Sequence, residues 1–134
     1  MGSASPSFPP TPTIVKGLLE HTSTSGFSRG FALEYRLASG PPLPVSNPFP
    51  ACLLDVLAGY HYLIHSLGFS PDNIIVAGDS VGGTLAYQLT RYCTAYGDIE
   101  GFAGNFPVPR GLLLLSPSVD AAFRPSSGIA FFPP

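Results

Sequence analysis

Near its middle this chain carries a sequence that leaves little freedom in local fold. An apolar, partly β-branched run, Asn73 to Ala77, leads into Gly78-Asp79-Ser80-Val81-Gly82, and Gly83-Thr84-Leu85-Ala86-Tyr87 opens a helical pattern at once. Strand, sharp turn and helix in that order is the setting in which the serine of a Gly-x-Ser-x-Gly sequence stands clear of the backbone as a nucleophile. The pentapeptide alone arises by chance in roughly 4% of chains of this length, with Gly and Ser each near ~7% of residues, so its context decides. A glycine-rich turn cradling a phosphate is the other use of such a junction, but Gly-x-Gly-x-x-Gly and Gly-Lys-Ser/Thr are both absent.

The residue types fit nucleophilic chemistry. A serine hydroxyl is a weak nucleophile at its own pKa, so it must be exposed to a base and to N–H donors for the oxyanion that forms. A tight turn supplies the exposure by forcing Ser80 into a sparsely populated backbone conformation. Gly78 and Gly82 are then expected because a Cβ at either place would press on the crossing strand and helix, and Gly83 continues that close packing. The backbone N–H of Val81, at a helix N-terminus, is the expected oxyanion donor. Asp79, whose neighbour points the other way on a turn, is expected to order the elbow and not to serve as a catalytic acid.

Composition bounds the partners. The chain has 134 residues, 45% hydrophobic and 10% charged, with a net charge of −2. That is one domain or part of one, without the basic patch that nucleic acid or an anionic membrane surface requires. No apolar run approaches a membrane span, and Met1 to Thr13, rich in Ser and Pro, lacks the apolar core of a secretory signal. Cytoplasm is the expected location. Cys52 and Cys93 read as small buried free thiols, having neither Cys-x-x-Cys nor framework spacing.

Residues 1–13 are expected to be a disordered tail, residues 14–123 the folded part, and residues 124–134 a loop or disordered end. Within the folded part, Ile14 to Ser23 predicts a short helix and Gly30 to Leu37 a buried strand. A proline-stiffened loop follows as far as Pro50. Leu53, Val56, Leu57, Tyr60, Leu63, Ile64 and Leu67 keep helical spacing from Ala51 to Leu67. Asn73 to Ala77 predicts a strand. The helix after Ser80 turns Leu85, Leu89, Tyr92 and Cys93 inward and stops near Gly97, and Asp98 to Pro109 reads as loop. The continuous apolar run Gly111 to Leu115 predicts a strand buried on both faces of a parallel sheet. Strands alternating with helices give an α/β fold.

Tyr35-Arg36-Leu37-Ala38, Phe49-Pro50-Ala51, the amphipathic helix, Gly78-Asp79-Ser80-Val81-Gly82-Gly83 and Leu115-Ser116-Pro117-Ser118-Val119-Asp120 resemble, in that order, the hormone-sensitive-lipase-like branch of the α/β-hydrolase esterases. The resemblance covers roughly residues 14 to 123. The family's elbow usually reads Gly-Asp-Ser-Ala-Gly-Gly, and Val81 in the alanine's place leaves the backbone N–H where it is. The resemblance implies an incomplete α/β-hydrolase fold whose three strands look like the fourth, fifth and sixth. The family's third strand lies between the fourth and the fifth, so these two are expected to lack their shared neighbour, leaving sheet edges open to a partner chain.

By the same resemblance Ser80 attacks the acyl carbonyl of a small ester, forms an acyl-enzyme and releases it to water, with no cofactor and no metal. The family's His-Gly-Gly-Gly oxyanion motif has no match here, and its triad acid and histidine lie after the seventh and eighth strands. All three histidines of this sequence, His21, His61 and His65, precede Ser80. His21 reads as a helix C-terminal residue near free carbonyls, and His61 and His65 as exposed helix-surface residues without a third metal ligand. Asp120 resembles a structural position, not the triad acid. The expectation is a carboxylic-ester hydrolase by lineage, truncated and weakly active or inactive alone. The alternative is a non-catalytic pseudo-hydrolase acting as a binding or interaction protein.

Overall fold

The computed structural model describes residues 10–97 and 106–117. The expected tail before Pro10, the loop over 98–105, Asp120 and the end over 124–134 lie outside the described residues. Three α-helices, α1 (Pro10–Thr22), α2 (Ala51–His61) and α3 (Val81–Tyr96), accompany two strands, β1 (Ile75–Asp79) and β2 (Gly111–Leu115). β1 and β2 pair in parallel, with Ile75 opposite Gly111 and Asp79 opposite Leu115. A parallel pair needs a crossover, and α3 supplies it, packed on both strands.

The core lies between α2, α3 and the α3-facing side of the sheet. Leu57, Tyr60, Ile74, Leu89 and Cys93 are buried together, with Leu53, Val56, Leu63, Ile64, Phe69, Val76, Tyr92 and Phe106 packed around them. Leu89 and Cys93 are the most completely buried. Full burial of a leucine side chain is worth about 1.5–3 kcal/mol. The Tyr60 hydroxyl crosses this core to donate a 2.7 Å hydrogen bond to the Pro107 carbonyl.

The structure departs from the sequence reading in four places. The first helix starts at Pro10, earlier than Ile14, and closes through a single 3₁₀ turn, Ser23–Ser25, onto Gly26 at φ 89°. The stripe on α2 loses its last member: Leu67 is exposed, because Tyr62–Ser66 is a π-turn. Its wider turn, closed by the Leu67 N–H on the Tyr62 carbonyl, shifts the helical phase and rotates Leu67 off the core face.

The third departure is Gly30 to Leu37, which pairs with no strand among the described residues. A strand exists by its ladder. Here the Arg36 N–H donates to a carboxylate oxygen of Asp55 on α2 instead of to a neighbouring strand, and Leu33 packs onto α2 at Gly59. Phe31 and Leu37, expected inside, are exposed. The fourth is β2, expected to be buried on both faces but only half-buried. By alternation Val76, Leu112 and Leu114 face α3, whereas Ile75, 42% exposed, and Leu113, 37% exposed, look out from the opposite face, which no described element covers.

Candidate functional site

β1 delivers the chain to Ser80 and α3 takes it away. Between them Ser80 adopts φ 52° and ψ −117°, a conformation ordinarily left to glycine. Two backbone bonds fix it there. Its N–H donates to the Leu115 carbonyl at 2.8 Å, extending the β1–β2 pairing by one residue, and its own carbonyl accepts the Thr84 N–H at 3.1 Å. Ser80 thus stands at the N-cap of α3, yet its hydroxyl makes no capping bond. The side chain is exposed and free of partners among the described residues.

Sterics around the turn call for glycine at two of its three glycine positions, most strictly at Gly78. A Cβ on Gly78 would fall on the Gly82 carbonyl and lie 2.6 Å from the Gly83 nitrogen, a distance real Cβ atoms do not show. The first turn of α3 can cross the end of β1 this closely only above a glycine. Gly83 is similarly confined: a Cβ there would stand 3.0 Å from the Gly78 carbonyl oxygen and 3.0 Å from Pro117 Cβ. Gly82 differs from its expectation: its carbonyl lies at the crossing, but a Cβ on it would meet nothing within 4 Å.

At the first position of α3, Val81 presents its backbone N–H without an acceptor among the described residues. The aligned peptide dipoles of the sixteen-residue helix give that end a partial positive charge, suited to a developing oxyanion. Asp79 is exposed at the end of β1 and accepts no hydrogen bond among the described residues. Its link to the elbow is through the backbone, in register with Leu115.

None of the histidines hydrogen-bonds to Ser80. His21 sits in the last turn of α1. His61 and His65 stack on one another with ring centroids 4.2 Å apart, and His61 also meets the Phe106 ring at 5.7 Å, so it is half-buried and not a plain surface residue. No group of three or more His, Cys, Asp or Glu side chains able to hold a metal ion occurs among the described residues. No helix of the described residues is long and apolar enough to cross a membrane.

The sequence reading missed the far wall of the turn. Leu115, Ser116 and Pro117 meet the elbow from the end of β2, with Ser116 at φ 45°. The signal available was the Ser-Pro that closes the apolar run, which reads as a strand end and nothing more.

The turn can therefore present an exposed hydroxyl beside a helix N-terminus, the geometry of a nucleophile elbow. A family model described as alpha/beta hydrolase fold matches residues 27–130. The chain belongs to the α/β-hydrolase family. Its branch is the hormone-sensitive-lipase-like one, and the two-stranded parallel sheet with its helices is an incomplete form of that α/β fold. Among relatives of this chain, an acetyl-hydrolase of Streptomyces hygroscopicus is 31% identical over 96 residues, 72% of this chain and 27% of its own length. Lipase 2 of Moraxella sp. (strain TA144) is 38% identical over 63 residues, 45% of this chain and 13% of its own. A multifunctional-autoprocessing repeats-in-toxin protein of Vibrio cholerae is 36% identical over 56 residues, 41% of this chain and 1% of its own. The chain thus spans about a quarter or less of the length of these relatives. No solved structure matches.

Proposed function

We propose that this chain carries the nucleophile of a carboxylic-ester hydrolase. Ser80 Oγ attacks the acyl carbonyl of a small ester, and the Val81 N–H holds one side of the oxyanion. The ester C–O bond breaks, the alcohol leaving with the proton that Ser80 gave up, and water then attacks the acyl–Ser80 ester, its oxygen going to the acid and one hydrogen restoring the Ser80 hydroxyl. Gly78 and Gly83 are the packing residues that let strand and helix meet. The observation that carries this reading is the backbone of Ser80, φ 52° and ψ −117° at the strand–helix junction, which holds in the open a hydroxyl that is uncommitted among the described residues. The acetyl-hydrolase and lipase names of the relatives point the same way.

We further propose that these 134 residues alone turn esters over weakly or not at all. A serine needs a base, and no histidine of the sequence bonds to Ser80 or follows it in the chain order Ser, Asp, His. Removing triad members costs on the order of 10⁴–10⁶ in rate. The same observation favours a second reading, a non-catalytic pseudo-hydrolase that holds a ligand or partner chain.

The deciding experiment is labelling with a fluorophosphonate probe, wild type beside Ser80→Ala, with both shown to be folded by circular dichroism. Labelling of the wild type alone means that Ser80 is activated and supports the hydrolase. A folded wild type that stays unlabelled removes turnover from these residues and leaves the binding reading. Labelling of both proteins at another residue would overturn the assignment of Ser80.

A further inference from the structure

Ser80 is held in its conformation from two sides, and both holds come from one short segment. On the upstream side the Leu115 carbonyl accepts the Ser80 N–H at 2.8 Å. On the downstream side Pro117 lies over the first turn of α3, its Cβ and Cα 3.0 and 3.3 Å from where a Cβ on Gly83 would stand. Between these two contacts the chain must leave the strand direction and cross the helix end. Ser116 makes that change with φ 45°, in the left-handed region.

We propose that Leu115-Ser116-Pro117 is a positioning clamp for the nucleophile, fixing Ser80 through its amide and the Val81 turn through Gly83, with Pro117 the residue that closes it. This role rests on Ser80 being the nucleophile, but the clamp can be tested without activity. None of the three residues touches a reacting atom. Their contribution is to keep the hydroxyl and the Val81 N–H in a fixed relation while the strained turn would otherwise relax toward an ordinary helical start. A strained backbone persists only where its surroundings over-determine it, and within the described residues these are the contacts that do so from outside β1 and α3. Proline suits the closing position because its fixed φ leaves the segment one fewer way to swing off the helix.

The test is amide hydrogen exchange read residue by residue, with Ser80 compared with Leu89 in the buried middle of α3, alongside the HN–Hα coupling of Ser80. Pro117→Gly removes the Cβ that meets Gly83 and frees the backbone. Ser80 should lose at least tenfold in protection relative to Leu89, and its coupling should move toward that of an averaged conformation. Pro117→Ala keeps the Cβ and should retain most of the protection. Ser116→Gly, compatible with φ 45°, should leave Ser80 as in the wild type, whereas Ser116→Val should loosen it. If Pro117→Gly lowers Ser80 and Leu89 by the same factor, Pro117 is a general packing residue and the clamp is overturned. The clamp is equally overturned if Ser80 keeps its protection and coupling in Pro117→Gly. Fluorophosphonate labelling of the same variants separates the two readings. An unlabelled wild type whose Ser80 amide loosens selectively in Pro117→Gly refutes an activated Ser80 and leaves the clamp standing.

Discussion

Arg36 holds Asp55 with its side chain and its backbone at once. The Arg36 N–H donates to Asp55 Oδ2 at 2.8 Å, Nε to the same oxygen at 2.9 Å, and Nη2 to Oδ1 at 2.7 Å. A segment that pairs with no strand among the described residues is thereby fastened to α2. The guanidinium hydrogen bonds, with the Arg36 N–H second, hold the Asp55 carboxyl below its ordinary value of 3.8. A depressed carboxyl stabilises the fold above its unfolded value, and that contribution fades as pH falls through the lower, folded value. We therefore expect the Asp55 carboxyl carbon, followed by NMR, to titrate below 3.8 in the wild type and to move up toward it in Arg36→Met, where only the backbone hydrogen bond remains. An unchanged midpoint in Arg36→Met would show that the pair does not persist in solution.

The elbow glycines should behave unequally. At Gly78 a Cβ collides with the backbone of Gly82 and Gly83, which cannot yield as a flexible side chain can. Overpacking costs typically about 1–3 kcal/mol, occasionally more, and Gly78→Ala belongs at the upper end or beyond. Gly82→Ala meets open space within a helix and should be neutral or stabilising by up to ~1 kcal/mol, the difference in helix propensity. Urea denaturation of the two variants decides. Equal losses would mean that the crossing of β1 and α3 is looser than these distances.

Ser80 itself should weaken the fold it serves. A non-glycine residue in such a region costs about 1–3 kcal/mol, and glycine escapes that strain while losing about 0.5–1 kcal/mol through the freedom it adds to the unfolded chain. Ser80→Gly should thus raise stability by about 1 kcal/mol, while Ser80→Ala, which keeps a Cβ at φ 52°, should gain little. A Ser80→Gly midpoint below that of Ser80→Ala would indicate that the turn carries no strain, because only the added freedom of the unfolded chain would then separate the two.

Much of this fold could be read from residue spacing. α2, α3, both strands and the turn at Ser80 follow from local periodicity and from glycines at a strand–helix junction, where the determining contacts lie within a few residues. What could not be read depends on distant partners. Gly30 to Leu37 has the composition of a strand, but pairing is non-local, and Asp55, nineteen positions on, captures the Arg36 amide. Leu67 fits the stripe on paper, and only the π-turn before it rotates it outward. Gly82 and Gly83 look alike in the motif, and the crossing of β1, with Pro117 beyond it, separates them. All three histidines precede Ser80 in the sequence, and neither spacing nor motif ties any of them to it.

Cys93 and Cys52 offer the sharpest contrast in reactivity. Cys93 is among the most buried side chains of the core, and burial pushes its thiol up from 9.0 to about 11, while Cys52 is only half-buried. The thiolate is the reactive form, so at pH 8 a disulfide reagent should modify Cys52 readily and Cys93 only when the core opens. The phenol of Tyr60, beside Cys93, is raised by the same burial first and by the thiol second. Both groups are neutral when protonated, and the folded core resists their ionisation. Their contribution to stability should therefore be whole below pH 9 and fall as pH rises from 9 through about 11, the window set by Cys93. In Cys93→Ala that alkaline loss should shrink to the part due to Tyr60, at the cost of a small cavity beside Leu89. Rapid modification of Cys93 at pH 8 with the protein folded would mean that α2 and α3 part more easily than their packing implies.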